Sequence, residues 1–333
     1  MKIWIDITNT PHVSVLMPII RELEKNHELI ITARDFSETL SLLEKNGIVP
    51  IRLGEYMGKG KVKKAFGMVA RLWKMYRQIP EFDLSLSLGG NYTSIISKLR
   101  RKPSVVFSDN DISFKLFSFK YGTYFIFPTY FKTDHLNKKY GIKDEQVFKF
   151  DGFKEDIYIA DYKPDPDFLD QLPFKEFITI RPENLKASYV PSDSKTIVPE
   201  LFKKFEHENI LFLPRYEEEK AYAKGFKNIY IPNGPLIGLD VCYYTKAMLT
   251  GAGTFAREAA LLGTPAVSFF PGTEFLTVDV IMQEAGWEFK SREPEEILEY
   301  VNSAVKRESQ QERSKSVFAS VMSILNNIIN QHK

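Results

Sequence analysis

Several turns of this 333-residue sequence place polar, charged or glycine residues where a short apolar run gives way to a helical pattern. The first is Thr8-Asn9-Thr10-Pro11-His12, directly after Ile3–Ile7. Thr10 is suited to cap a helix with Pro11 in its first turn, where proline's missing N–H costs nothing. His12 then stands at a helix N-terminus, where the dipole lowers an imidazole pKa and favours a neutral base. The plainer alternative is a polar helix-start residue. Asp6, inside the strand, reads as structural.

A second turn is Leu88-Gly89-Gly90-Asn91, where paired glycines let backbone N–H groups approach a ligand or simply make the bend. A third is Phe107-Ser108-Asp109-Asn110-Asp111. Its acid-x-acid triplet can hold a divalent cation, cap the next turn, or place a carboxylate in a catalytic cleft. With no further acid or histidine nearby to complete a cation shell, the carboxylate reading is preferred and no metal is expected.

In the second half, Arg181 follows Phe177–Ile180, and Arg215 follows Phe212-Leu213-Pro214. A guanidinium at a strand end suits a diphosphate, although Arg181 has a neighbouring Glu183 to pair with. Richest is Ala247 to Val267, a strand, the turn Gly251-Ala252-Gly253-Thr254, then a helix carrying Glu258. Gly251, Gly253 and Thr254 can cradle a phosphate, and Glu258 can reach a ribose diol. The pattern is formally G-x-G-x-x-A. However, the next strand ends in Pro271-Gly272 and not in an acid, which excludes a dehydrogenase.

These turns need a scaffold of alternating strands and helices. Strand-like runs fall at Ile3–Ile7, Glu28–Thr32, Val49–Leu53, Leu84–Leu88, Ser104–Phe107 and Tyr124–Phe127. They resume at Phe177–Ile180, Ile210–Leu213, Ile229–Ile231, Ala247–Thr250 and Ala266–Phe270. Helical periodicity fills most gaps, which implies an α/β protein with two parallel sheets and right-handed crossovers. Ligands in such sheets sit off the C-terminal strand ends, where the turns above lie. The Pro- and Asp-rich stretch Asp161–Asp167 predicts a solvated linker between domains 1–160 and 161–333.

Net charge is +2, which excludes a strongly basic nucleic-acid binder, and no nucleic-acid partner is expected. The single Cys242 excludes a disulfide scaffold and fits a reducing compartment. With no signal-peptide pattern and no membrane-length apolar run, a cytoplasmic protein is expected. The charge is uneven: residues 1–160 hold 25 basic and 18 acidic residues, whereas 161–333 hold 20 and 25. Part of the excess lies between Lys61 and Arg77, where Val62, Phe66, Val69, Trp73 and Tyr76 form one apolar helix face. Such a helix either packs on its own domain or docks peripherally on the inner face of an anionic membrane.

The spacing of Thr10-Pro11, Pro18, Ile20 and Glu22-Leu23 resembles the opening of the non-hydrolysing UDP-N-acetylglucosamine 2-epimerases. So do Ile180-Arg181-Pro182-Glu183-Asn184, Gly251 through Pro265 with Glu258, and the loop Pro271-Gly272-Thr273-Glu274. The chain as a whole, with its Asp6-to-Val13 opening, is most similar to a GT-B-like domain family of unknown function common in archaea. The resemblance implies the GT-B architecture, with two Rossmann-like domains and an interdomain cleft. It also implies a donor sugar nucleotide, UDP-linked, held mainly by the second domain.

The resemblance also has departures. The epimerase pattern has a basic residue where this chain has Thr10, an acid at His12, a lysine at Val15 and a histidine at Ile180. Arg181, Gly253 and Glu258 are kept. This implies sugar-nucleotide binding with different chemistry, and the expectation is an inverting glycosyltransferase that needs no cofactor. Its catalytic candidates are His12, Asp109 and Asp111. Its nucleotide-sugar candidates are Asn9, Gly89, Gly90, Asn91, Arg181, Arg215, Gly251, Gly253, Thr254, Glu258 and Glu274. A rearranged epimerase and a non-catalytic nucleotide-binding protein are the alternatives. The acceptor is unknown; the positive first half favours an anionic or lipid-linked one.

Overall fold

A computed structural model describes the chain except for residues 36–38, 56–60, 111–114, 188–189 and 273–275, and the side chains of 55 and 61–66. The chain divides into two compact units, Met1–Tyr158 with Ser316–Lys333, and Ile159–Lys315.

The first unit holds β1 (Lys2–Ile7), β2 (Glu28–Asp35), β3 (Ile51–Glu55), β4 (Leu84–Leu88), β5 (Ser104–Phe107), β6 (Tyr124–Pro128) and β7 (Val147–Phe150). They form one sheet in the order β3-β2-β1-β4-β5-β6-β7, and every pairing is parallel. The central strand β1 is buried from Ile3 to Ile7, as expected where helices cover both faces of a parallel sheet. Trp4 packs against Phe82 with ring centroids 5.1 Å apart, beside Met75 and Ile79 of the helix Lys61–Gln78 and its end.

Asp6 is structural, and its partner is a helix guanidinium. Arg71 Nη2 donates to Asp6 Oδ1 and Oδ2 at 3.0 and 3.1 Å, and Thr32 Oγ1 donates to Oδ1 at 2.7 Å. Trp4 Nε1 in turn donates to Thr32 Oγ1 at 2.9 Å. Arg71 also donates from Nε to the Leu53 carbonyl and lies over the Tyr92 ring. Among the apolar stripe expected on this helix, the described members Val69, Trp73 and Tyr76 are exposed, whereas Arg71 and Met75 are buried.

The second unit holds β8 (Ile178–Arg181), β9 (Ile210–Phe212), β10 (Ile229–Tyr230), β11 (Met248–Thr250), β12 (Ala266–Ser268) and β13 (Phe289–Lys290). Their order is β10-β9-β8-β11-β12-β13, again parallel. Its core gathers Phe202, Phe205, Phe212 and Phe269 around the sheet. The Asp161–Asp167 stretch is not free chain. Asp240 accepts from the Tyr162 hydroxyl and the Asp165 amide, and the Tyr244 hydroxyl donates to the Asp165 carbonyl.

Residues Ser316–Lys333 follow the second unit in sequence but belong with the first. Val317, Val321, Leu325, Ile328 and Ile329 form the buried face of their helix. A β-carbon on Gly152 would lie 2.5 Å from a Val317 methyl, so close helix docking requires glycine there.

Candidate functional site

Each sheet reverses its order once, between β1 and β4 in the first unit and between β8 and β11 in the second. At such switch points, flanking loops leave in opposite directions and open a crevice at the C-terminal strand ends. The turns after β1 and β4 carry Thr8–His12 and Gly89–Asn91. Those after β8 and β11 carry Arg181–Asn184 and Gly251–Thr254.

In the first unit the helix Thr10–Leu23 starts one residue earlier than Thr10 capping would require. Asn9 occupies the N-cap in extended conformation without a side-chain cap bond, and its carbonyl accepts from the His12 amide at 3.0 Å. Thr10 Oγ1 instead lies 3.4 Å from Thr39 Oγ1. His12 Nδ1 is 3.1 Å from Thr8 Oγ1. The imidazole is lowered from 6.5 to about 4 chiefly because burial disfavours its charged form, with Asp109 opposing and Lys154 reinforcing. Burial is the main reason the His12 imidazole stays neutral.

Asp109 and His12 are thus brought into one electrostatic neighbourhood. Lys154 completes it: its Nζ lies 2.5 Å from Asp109 Oδ2 and 3.2 Å from Oε1 of the buried Glu155. Neither Lys154 nor Glu155 was expected from sequence. They follow β7, whose mixed Val147-Phe-Lys-Phe150 pattern does not stand out as a strand; recognising it would have directed attention to the turn beyond. Asp111 lies outside the described residues.

The Gly89–Asn91 turn serves structure in full view. A β-carbon on Gly90 would sit 2.0 Å from Ser87 Oγ, so the turn closes onto β4 only with glycine. Gly89, at φ +67°, donates its amide to the Phe107 carbonyl at 2.7 Å. Asn91 Oδ1 accepts from the Phe117 and Ser118 amides, fastening the helix Leu116–Tyr121.

In the second unit burial pushes the Cys242 thiol up, and Glu258 and Arg181 both lie near enough to act on it, with opposite sign. The Arg181 guanidinium rests over the Phe255 ring at 4.9 Å, in the first turn of the helix Gly253–Leu261 that also carries Glu258. Glu183 is not Arg181's ion-pair partner here. It is fully buried and accepts from Arg292 Nη1, Thr196 Oγ1 and the Ile197 amide at 3.1, 2.7 and 3.2 Å.

Gly251 donates its amide to the Arg181 carbonyl at 3.0 Å, and a β-carbon there would lie 2.5 Å from Glu183 Cα. Glycine is thus what lets the β8 and β11 turns pass each other. Gly253 begins the helix, where a β-carbon would meet the Arg257 guanidinium at 2.4 Å. Arg257 is itself ion-paired with Asp279 and donates to Thr254 Oγ1 at 3.4 Å. Arg215 Nε donates to the Pro182 carbonyl at 2.9 Å, which puts it beside the Arg181 turn. The structure therefore gathers Arg181, Arg215, Gly251, Gly253, Thr254 and Glu258 at one switch point. Glu274 lies outside the described residues. Among the described residues no group of three or more His, Cys, Asp or Glu side chains could hold a metal ion.

Two parallel Rossmann-like sheets of seven and six strands define a GT-B fold. Residues 1–332 match the family described as "Protein of unknown function (DUF354)", and the chain belongs to it. A relative from Methanocaldococcus jannaschii, "Uncharacterized protein MJ0665", is 25% identical over 90% of this chain and 91% of its own. Among solved structures, UDP-GlcNAc 2-epimerase from the same organism, in complex with UDP-GlcNAc and UDP, superposes with TM-score 0.71. It shares 18% identity over 98% of this chain and all of its own. The S. aureus MnaA–UDP co-structure gives 0.70 at 14% identity, covering 98% and 95%. A glycotransferase of kitacinnamycin gives 0.64 at 11%, covering 100% and 99%.

Proposed function

We propose that this protein is a GT-B glycosyltransferase that moves a sugar from a UDP-linked donor to an acceptor hydroxyl, with inversion. The observation that carries the reading is the gathering of Arg181, the Gly251–Thr254 turn and the nearly buried Glu258 at the second sheet's switch point. Arg181 and the first amides of the Gly253–Leu261 helix meet the diphosphate's charge with fixed donors, which act without reorganisation. Glu258 accepts from the ribose hydroxyls.

His12 is the base in this reading. When Nδ1–H donates to Thr8 Oγ1, Nε2 is left as an acceptor, and burial keeps the ring neutral. As the acceptor oxygen bonds to the sugar's anomeric carbon, its proton passes to Nε2 and the bond to UDP breaks. Asp109 favours the imidazolium so formed. Domain roles follow: the unit Ile159–Lys315 binds the donor, and the unit of Met1–Tyr158 with Ser316–Lys333 supplies the acid–base groups.

Calorimetric titration with UDP tests the donor site. Glu258→Ala should weaken UDP by roughly 10- to 100-fold, the worth of hydrogen bonds to a charged group. Absence of UDP binding, or an unchanged affinity in the variant, overturns the assignment. An epimerase is the second reading, favoured by the epimerase structures that share this fold. Incubation with UDP-N-acetylglucosamine in deuterated water separates the two, because only an epimerase incorporates deuterium at C2.

A further inference from the structure

We infer that the helix Lys61–Gln78 docks the protein on an anionic lipid surface, independently of the reaction its switch points serve. The helix turns Arg71 and Met75 inward, so that Val69, Trp73 and Tyr76, 59%, 61% and 48% exposed, line up at spacings of four and three on its outer side. Apolar side chains of this size on one stripe mark an interaction surface.

Charge identifies the occupant. From Tyr56 to Pro80 the sequence has no Asp or Glu, while Lys59, Lys61, Lys63, Lys64, Arg71, Lys74 and Arg77 are basic. Arg71 is neutralised by Asp6; Lys74 and Arg77 are exposed beside the stripe. Arg77 lies over the Trp73 ring at 5.0 Å, and Arg100 lies over Tyr76 at 5.5 Å. Arg100 also donates to the carbonyls of Ile79 and Pro80 at 2.8 and 2.9 Å, which fixes a cation at the end of the stripe.

Trp and Tyr with a cationic border are the residues that sit at headgroup level. A second copy would bring the same positive charge against this face and be repelled. Among the described residues no helix is long and apolar enough to cross a membrane, so the contact is peripheral.

The test uses the full chain with vesicles of phosphatidylcholine alone or mixed with phosphatidylglycerol. Of the three tryptophans, Trp4 is fully buried, Trp287 partly buried in the second unit and Trp73 exposed, so docking should blue-shift the Trp73 contribution and shield it from acrylamide with the anionic vesicles only. Binding should fall as salt rises. Lys74→Gln with Arg77→Gln should weaken it roughly 10- to 30-fold, at about 1 kcal/mol per basic residue near the surface. Trp73→Ala should weaken binding and remove the spectral change. These side chains are exposed, and an unchanged thermal transition confirms that the variants fold.

Equal partition onto neutral and anionic vesicles, no salt dependence in the wild type, or unchanged binding by the double variant overturns the proposal. So does concentration-dependent self-association abolished by Trp73→Ala in the absence of vesicle binding. UDP affinity is measured alongside and is expected to stay constant in every variant.

Discussion

His12 should remain uncharged at pH values where an ordinary histidine is mostly protonated. Burial holds its imidazole at about 4. At pH 6 about 1% of His12 should carry a proton, against roughly three-quarters of a histidine with the usual value of about 6.5. Asp109 pulls the pKa up and Lys154 pushes it down, so the two neighbours make opposite predictions. Asp109→Asn should lower the midpoint further, and Lys154→Met should raise it. The unfolded chain takes up this proton near pH 6.5 and the folded protein only near pH 4. The stability His12 contributes is therefore complete above pH 6.5 and is lost as pH falls towards 4. The loss amounts to at most about 3 kcal/mol, because the residue keeps partial solvent access. Long-range ¹H–¹⁵N spectra of the imidazole nitrogens, with His12 assigned by its absence in His12→Gln, give the midpoint directly. Denaturant titrations of that variant at pH 5 and pH 7 give the linked stability. A midpoint near 6.5, or shifts of the same sign in the Asp109 and Lys154 variants, refutes the burial argument and removes the neutral base.

Two further outcomes follow from buried charges elsewhere. Asp6→Asn leaves the Arg71 guanidinium buried without a counter-charge and should cost about 3–5 kcal/mol, read as a lower denaturant midpoint; a loss below about 1 kcal/mol contradicts the pairing. Glu288 is raised to about 8 by burial and then by Asp279, so the folded state holds its proton and stability declines as pH climbs from the unfolded value of 4.5 towards 8. Glu288→Gln should remove that decline, gaining on the wild type by on the order of 3–5 kcal/mol by pH 8, and parallel pH profiles of the two proteins count against it.

The central strands were legible because parallel strands covered on both faces are continuous apolar runs, and Ile3–Ile7 and Leu84–Leu88 carry that signature. Strands β7 and β13 were not, being edge strands of four and two residues with partly exposed side chains. Loss of β7 hid Lys154. The Gly251–Thr254 turn could be found because glycine, helix start and strand end coincide within a few residues. Glu183's partner could not: Arg292 is 109 residues away, and nothing local distinguishes it from the adjacent Arg181. The burial of Arg71 is not legible either, because helical periodicity weighs side chains by polarity and cannot see a carboxylate inside a distant strand.

That carboxylate has a consequence for how the helix Lys61–Gln78 is oriented. At about 100° per residue, the stripe of Val69, Trp73 and Tyr76 is rotated roughly a third of a turn from the side where Arg71, Met75 and Ile79 enter the core. Hydrophobicity alone would choose between these two rotations weakly, since each offers apolar side chains to the sheet. Only one lets Arg71 reach Asp6, and the other would strand a carboxylate in the interior of β1. Asp6 therefore works as a key for a keyway: it contributes little by way of greasy area, but it decides which face of the helix points outward.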